Sequence, residues 1–444
     1  MKNHPKGLFI LFFTEMWERF SYYGLRAILV LFLVSKVKGG YGWNEAEALS
    51  LLGLFTGMVY IMSIPGGIIS DRWLGPKKSV MLGGALLCVG HFLMAVPDKT
   101  LFYAALCLIV AGIGMLKPNI STMVGELYTE QKRRDAGFII FYMGINLGSF
   151  LATLSIGFVG ETYGWHYGFS LAGFGMLLGQ IVFVWGQRYL KHVGNNLKNR
   201  TKEAQEKVRE KAKQKLSPTD LQRVLVLGIL FFVIFVFWMA FEQASGLMNL
   251  YAKKYTNRVV FGWNVPASMF QSLNAGFILV FGGIVAAFWA ARKTSAISKM
   301  AIGTILVGIG FLFMVGASME RASAGQSAIY WLVLAYWLHT LGELCISPVA
   351  LSYISKIAPK ALVSSMMGAY FATTGFANIA AAEVGKLASK LGELTIFAGL
   401  VVVSVITGTI LLLFARRLTK MTKEEELDDM PKNTEEVPAS VAEA

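Results

Sequence analysis

The stretch Glu15-Met16-Trp17-Glu18-Arg19-Phe20-Ser21-Tyr22-Tyr23-Gly24-Leu25-Arg26 sets four ionisable side chains inside a run apolar enough to span a membrane. A charge near the bilayer centre costs at least about 2.5–3.5 kcal/mol on the most lenient insertion scale. At helical spacing Glu15, Glu18, Arg19, Tyr22 and Arg26 share one face, which must look into protein or water. Such a stripe suits an ion or proton pathway; the competing role is an ion-paired cluster that only fastens helices together. Three further charges lie deep in apolar runs: Lys117, Glu242 and Glu343. Lys117 sits in Gly112-Ile113-Gly114-Met115-Leu116-Lys117-Pro118, where proline removes a backbone bond and glycines thin the helix, as expected for a bend facing a cavity. A lone intramembrane Lys wants a carboxylate partner, for which Glu343, Glu15 and Glu18 are the candidates. A carboxylate and a base that can meet and part form a proton switch.

These residues need a scaffold, and the composition says which. The chain is 55% hydrophobic and only 15% charged, with a mean hydropathy of +0.55; soluble domains carry about 25% charged residues. Twelve apolar runs reach the length of a bilayer crossing: 8–35, 46–70, 78–97, 101–124, 136–159, 165–190, 222–251, 265–291, 299–318, 327–355, 361–388 and 392–415. The expected fold is therefore an all-α membrane protein of about twelve helices. An even number of crossings puts both termini on one side. The loops on that side hold most of the Lys and Arg, so it is cytoplasmic. The net charge of +14 is thus an orientation signal rather than a nucleic-acid footprint, since no base-stacking aromatics are interleaved with it. Its main reservoir, 191–220, is a cytoplasmic linker dividing a six-helix bundle at 1–190 from a second at 221–417. The tail 418–444 is acidic and disordered in expectation. The opening run is too long and too charged for a cleavable signal. Cys88, Cys107 and Cys345 show no metal-ligand spacing and read as buried, reduced thiols. No metal or cofactor is expected; the proton is the coupling ion.

Gly67-Ile68-Ile69-Ser70-Asp71-Arg72-Trp73-Leu74-Gly75-Pro76-Lys77-Lys78 resembles the GxxxDRxxGRR loop of the major facilitator superfamily. Asp71 and Arg72 would there lock one arrangement of the cytoplasmic side. Four further strings resemble the proton-dependent oligopeptide transporter family. The opening ExxERFxYYGxR comes first, and Phe141-Tyr142-Met143-Gly144-Ile145-Asn146-Leu147-Gly148-Ser149 is like its FYxxINxGS signature. Phe237-Trp238-Met239-Ala240-Phe241-Glu242-Gln243 is like its FWxxFEQ segment, and Gly342-Glu343-Leu344-Cys345-Ile346-Ser347-Pro348 its GELxxSP segment. The resemblance covers about 8–415 and implies a major facilitator fold of two six-helix halves. It also implies a symporter importing di- and tripeptides with protons. Proton coupling would fall to Glu15, Glu18, Arg19, Lys117, Glu242 and Glu343. Arg26 and Lys117 would meet the peptide carboxylate and Glu343 its amine, with Tyr23, Tyr60, Asn146, Trp238 and Asn274 completing the pocket. Trp238 and Glu242, at i and i+4, share a helix face.

Two departures matter. The 191–220 stretch lacks an apolar run for the two extra spans common in bacterial members, and Tyr370 stands where the family usually has Trp, which bears on peptide selectivity. A carrier of another small zwitterion or anion is the rival within transport. A membrane enzyme finds no HExxH, GxSxG or P-loop, and His91 and His339 read as ordinary buried residues. Paired charges in both halves favour alternating access over a continuous pore. The expected setting is a multi-pass protein of a bacterial cytoplasmic membrane, with short peptides, protons and lipid as partners, working as a monomer.

Overall fold

The computed structural model describes residues 4–194, 216–292, 294–359 and 361–422. The linker core at 195–215 and the tail from 423 onward lie outside the described residues. The first half holds α1 (Lys6–Val34), α2 (Glu45–Ile69), α3 (Pro76–Met94), α4 (Lys99–Glu126), α5 (Gln131–Thr162) and α6 (Trp165–Gly186). The second begins with α7 (Pro218–Phe241), which continues through a 3₁₀ turn into α8 (Leu247–Tyr255) as one crossing. It goes on with α9 (Ser272–Ala290), α10 (Ala296–Ala324), α11 (Ile329–Ile357), α12 (Val363–Lys386) and α13 (Glu393–Thr422). The last helix thus runs past residue 417, into the stretch expected to be tail. A two-stranded hairpin, β1 (Val259–Val260) and β2 (Trp263–Asn264), joins α8 to the segment before α9.

Local chemistry sets the helix ends. Asn44 and Asp98 accept backbone N–H groups of α2 and α4, at 2.9 and 2.8 Å. Ser217 and Asp220 form a reciprocal capping box with Pro218 at the first helical position of α7, which satisfies orphan donors where the chain re-enters the bundle. Between α2 and α3 the turn Ser70–Leu74 closes on Gly75, whose φ of +78° suits a residue without a side chain.

Among the described helices, nine are long and apolar enough to cross a membrane. The other three crossings, α1, α3 and α12, fall short of that measure because they carry charge or small and polar residues. α1 packs on α5 and α6, α3 on α4 and α6, and α12 on α2 and α7. The packing repeats six crossings later. The α1–α5, α2–α4, α3–α4 and α3–α6 pairs of the first half recur as α7–α12, α9–α11, α10–α11 and α10–α13 in the second. The two-fold that the sequence does not display is written in these contacts.

The halves meet along two seams, α2 against α12 and α5 against α9. On the first, Gly57 and Gly375 cross backbone to backbone: a Cβ on Gly57 would lie 2.7 Å from the Gly375 carbonyl oxygen, and one on Gly375 2.8 Å from that of Gly57. The helix α4 continues unbroken past Pro118. The carbonyl that Pro118 leaves without an N–H partner is that of Gly114, and it is packed against Gly66 of α2.

Candidate functional site

A cavity lies between the halves. Its wall includes every residue that the sequence suggests for holding a substrate: Tyr23, Arg26, Tyr60, Lys117, Asn146, Trp238, Asn274, Glu343 and Tyr370. Glu15, Arg19 and Glu242 of the proposed proton set line it as well. Glu18 does not. It is fully buried behind the wall, with Arg19 Nε 2.5 Å from its Oε2 and 2.9 Å from Glu15 Oε1. The charged face of α1 is therefore Glu15, Arg19, Tyr23 and Arg26, with Glu18 and Tyr22 turned into the bundle.

Each end of the cavity has its own chemistry. On the first half, the Lys117 ammonium sits 4.3 Å from the centre of the Tyr60 ring, a cation–π contact, and is an electrostatic neighbour of Glu15 and Glu18. The triad of Glu15, Glu18 and Arg19 is crowded rather than well bonded. Glu15 Oε2, both Glu18 oxygens and Arg19 Nη2 lack a directed hydrogen bond among the described residues. Buried polar groups in that condition are costly. On the second half, Asn274 of α9 donates to Glu343 Oε2 at 2.7 Å and to Thr340 Oγ1 at 3.2 Å, so its amide aims the α11 carboxylate. The charged neighbours of Glu343 are Glu242 and Arg26.

One buried ion pair joins the halves through the cavity wall: the Arg26 guanidinium of α1 donates through Nη2 to Glu242 of the α7–α8 turn. Both side chains are under a tenth exposed. Burying two charges gains little net stability, but removing one partner strands the other and costs about 3–5 kcal/mol. The pair is therefore a conformational contact more than a source of fold stability.

Sequence reasoning overlooked part of the wall, including Tyr142, Tyr336, Gln271 and Phe241. Tyr142 lies one turn before Asn146, whose amide donates to the Tyr142 carbonyl at 3.0 Å. Tyr336 is two helical turns before Glu343, so the i, i+7 rule would have found it; its hydroxyl donates to the Ala244 carbonyl at 3.2 Å. Trp238 and Tyr370 both line the cavity. Trp238 and Glu242 both reach the cavity although α7 ends between them. Asp71 and Arg72 are exposed in the turn between α2 and α3, away from this cavity. His91 and His339 are buried.

On the side opposite the termini the halves are sealed together. Asn249 and Gln271, from two segments of the second half, both donate to the Ala27 carbonyl of α1, at 2.8 and 3.4 Å. Glu161 of α5 pairs with Lys253 at 2.8 Å, and Glu45 pairs with Lys254.

Comparison with known proteins agrees with this architecture. The sequence profile of the POT family matches residues 77–206 and 191–400. The chain is 34% identical to the peptide transporter YePEPT of Yersinia enterocolitica, over 96% of this chain and 97% of that one. It is 32% identical to a di-/tripeptide transporter of Lactococcus lactis, over 94% and 97%. A solved structure of a peptide transporter POT variant in complex with alafosfalin superposes with a TM-score of 0.88 at 35% identity, covering 95% of this chain and 96% of the other. With its two six-helix halves, its inter-half cavity and these matches across nearly its whole length, the chain belongs to the POT family of major-facilitator transporters.

Proposed function

We propose that the protein imports di- and tripeptides together with protons, by alternating access of the central cavity to the two sides of the membrane. The observation that carries the reading is the polarity of that cavity. Arg26 and Lys117 on the first half face the Asn274–Glu343 pair on the second. A short peptide is a zwitterion with a carboxylate at one end and an amine at the other, a charge pattern that complements these two ends. Tyr23, Tyr60, Trp238 and Tyr370 offer adaptable apolar surface for varied side chains, and the Asn146 amide lines the same cavity.

The proton path runs through Glu15, Glu18 and Arg19, with Lys117 as the neighbouring charge that a substrate can disturb. Glu343 takes a proton or a peptide amine, and Glu242 reports closure through Arg26. Asp71 and Arg72 govern the terminus side of the cycle. The halves at 1–190 and 221–417 move as the two rocking bodies, joined by the 191–220 linker. The side bearing the termini is cytoplasmic by its excess of Lys and Arg, so the sealed side faces outward. The setting is a bacterial cytoplasmic membrane, the working unit a monomer, and no catalysed reaction or metal is involved.

Proteoliposomes with an imposed inward proton gradient test this directly, with labelled dialanine, trialanine and a panel of free amino acids and small anions offered in parallel. Gradient-dependent accumulation of the two peptides is the expected result. Accumulation of another zwitterion or anion in their place would overturn the substrate assignment, and a flux insensitive to the gradient would overturn the coupling.

A further inference from the structure

We infer that Glu161 is the outer latch of the transport cycle: a carboxylate of the first half that caps, across the seam, the start of a helix in the second half. The inference rests on the alternating-access reading above, and three observations carry it.

The first is where the carboxylate's bonds go. Glu161 lies at the far end of α5, and its side chain is only 4% exposed. One oxygen accepts both the backbone N–H and the hydroxyl of Ser268, each at 2.8 Å. The other accepts Lys253 Nζ at 2.8 Å. All three donors belong to the second half.

The second observation is what those donors lack otherwise. The 3₁₀ turn Ala267–Gln271 runs straight into α9, and neither Pro266 nor Gln271 supplies a side-chain cap to it. The first N–H groups of a helix are orphans that need an acceptor, and the positive end of the helix dipole favours an anion there. Glu161 provides both in trans. When the outer side opens, α5 and α9 part, and both the carboxylate and the N–H groups must be rehydrated.

The third observation is that the seam is shaped for this approach. Gly157, one turn before Glu161 on α5, lies directly under Ser268: a Cβ at Gly157 would fall 2.6 Å from Ser268 Oγ. A side chain there would meet the Ser268 hydroxyl and displace it from Glu161. Arg258 is a further charged neighbour of Glu161 on the hairpin side, and Lys38 of the first half donates to the Thr162 carbonyl at 2.8 Å, fixing the end of α5 that carries the latch. The nearby Glu45–Lys254 pair is a weaker seam, since both its side chains are about a third exposed or more.

The test reads conformation without substrate. Spin labels at positions 37 and 326, on exposed outer loops of the two halves, go into protein lacking the native cysteines, reconstituted in lipid nanodiscs. Distance distributions then give the ratio of outer-closed to outer-open molecules. Glu161→Ala should lower that ratio about ten- to a hundred-fold, the effect of losing hydrogen bonds to a buried charge. Gly157→Ala alters no charge and should move the ratio the same way by displacing the Ser268 hydroxyl from Glu161. Glu45→Gln should change it by less than about fivefold. Native distributions in both Glu161→Ala and Gly157→Ala, each shown to be folded by its thermal transition, would overturn the latch. Peptide uptake by the unsubstituted protein is measured separately, so a failure of the substrate assignment shows there and not in the distances.

Discussion

The Arg26–Glu242 pair offers the sharpest test of how the cavity is closed. In Glu242→Gln the Arg26 guanidinium loses its charged partner across the seam. What remains is the Tyr23 ring, 5.8 Å away, with Glu343 as a charged neighbour without a bond to it among the described residues, and Arg26 is itself only 6% exposed. Stranding one member of a buried pair costs about 3–5 kcal/mol. That cost is charged only to the outer-closed state, because opening separates α1 from the α7–α8 turn and lets water reach Arg26. At 1.4 kcal/mol per factor of ten, the outer-open population should rise by about a hundred- to a few-thousand-fold, until it dominates.

A single cysteine at Thr153 reports the change, in a protein with Cys88, Cys107 and Cys345 replaced. Thr153 lines the cavity on α5 and is buried when the outer side is shut. An impermeant maleimide added from the outer side should label it slowly in the parent and close to its open-state limit in Glu242→Gln. Adding Arg26→Met to that variant removes both charges, and replacing a buried pair by uncharged side chains is close to neutral. Labelling should then fall back toward the parent rate. A labelling rate unchanged by Glu242→Gln would refute the reasoning. So would a double variant whose effect is the sum of the two singles to within about 0.5 kcal/mol, because residues that act as a pair do not add.

Three further outcomes follow from the same cavity. Glu18→Gln, at a fully buried position against Arg19, should abolish gradient-driven accumulation in proteoliposomes while counterflow exchange survives in part, since exchange moves no net protons; normal accumulation would remove Glu18 from the coupling. Lys117→Ala should lose proton-driven uptake by taking away the charge that neighbours Glu15 and Glu18, and full uptake in that variant would sink its role. Blocking either end of dialanine, by N-acetylation or C-amidation, should weaken competition for uptake about ten- to a hundred-fold, the value of one charge-assisted bond to a buried partner; equal competition by the free and blocked forms would mean that the termini are not read.

Intramembrane charge made most of this site legible in the sequence. A Glu, Lys or Arg held at bilayer depth is so costly that its presence alone marks the cavity, and Glu15, Arg19, Arg26, Lys117, Glu242 and Glu343 all reach it. Helical periodicity was less exact. A spacing rule places Glu18 and Tyr22 on the charged face, but in the packed bundle both are buried and Tyr23 reaches the cavity instead. Pairings were harder still. Depth along a span says nothing about position around the bundle. Sequence reading offers Glu343, Glu15 and Glu18 equally as partners for Lys117. In the structure the latter two are its electrostatic neighbours, while Glu343 is engaged by Asn274. Glu161 gave no signal at all, because a carboxylate beside a loop reads as solvated surface until the other half is packed over it.

The geometry at Arg26 bears on how binding and closure combine. If the guanidinium had to choose between Glu242 and a peptide carboxylate, substrate would open the outer side by competing for it. The fork is not exhausted, however. Glu242 takes Nη2, and the rest of the side chain borders the cavity. A guanidinium carries five donors in a fixed plane and can hold two carboxylates on different edges. On the proposed reading, a peptide carboxylate on the open edge leaves the closure pair intact and adds a second anion beside a buried cation. Binding then reinforces outer closure, and the peptide amine at Glu343 ties the second half to the same ligand. Release toward the terminus side follows when Glu343 or the Glu15–Glu18–Arg19 group changes its proton and one end of that tie is lost. The order matters physically: a carrier whose substrate strengthens the seal behind it couples uphill import to the proton, because peptide cannot leave by the way it came until the cavity has emptied.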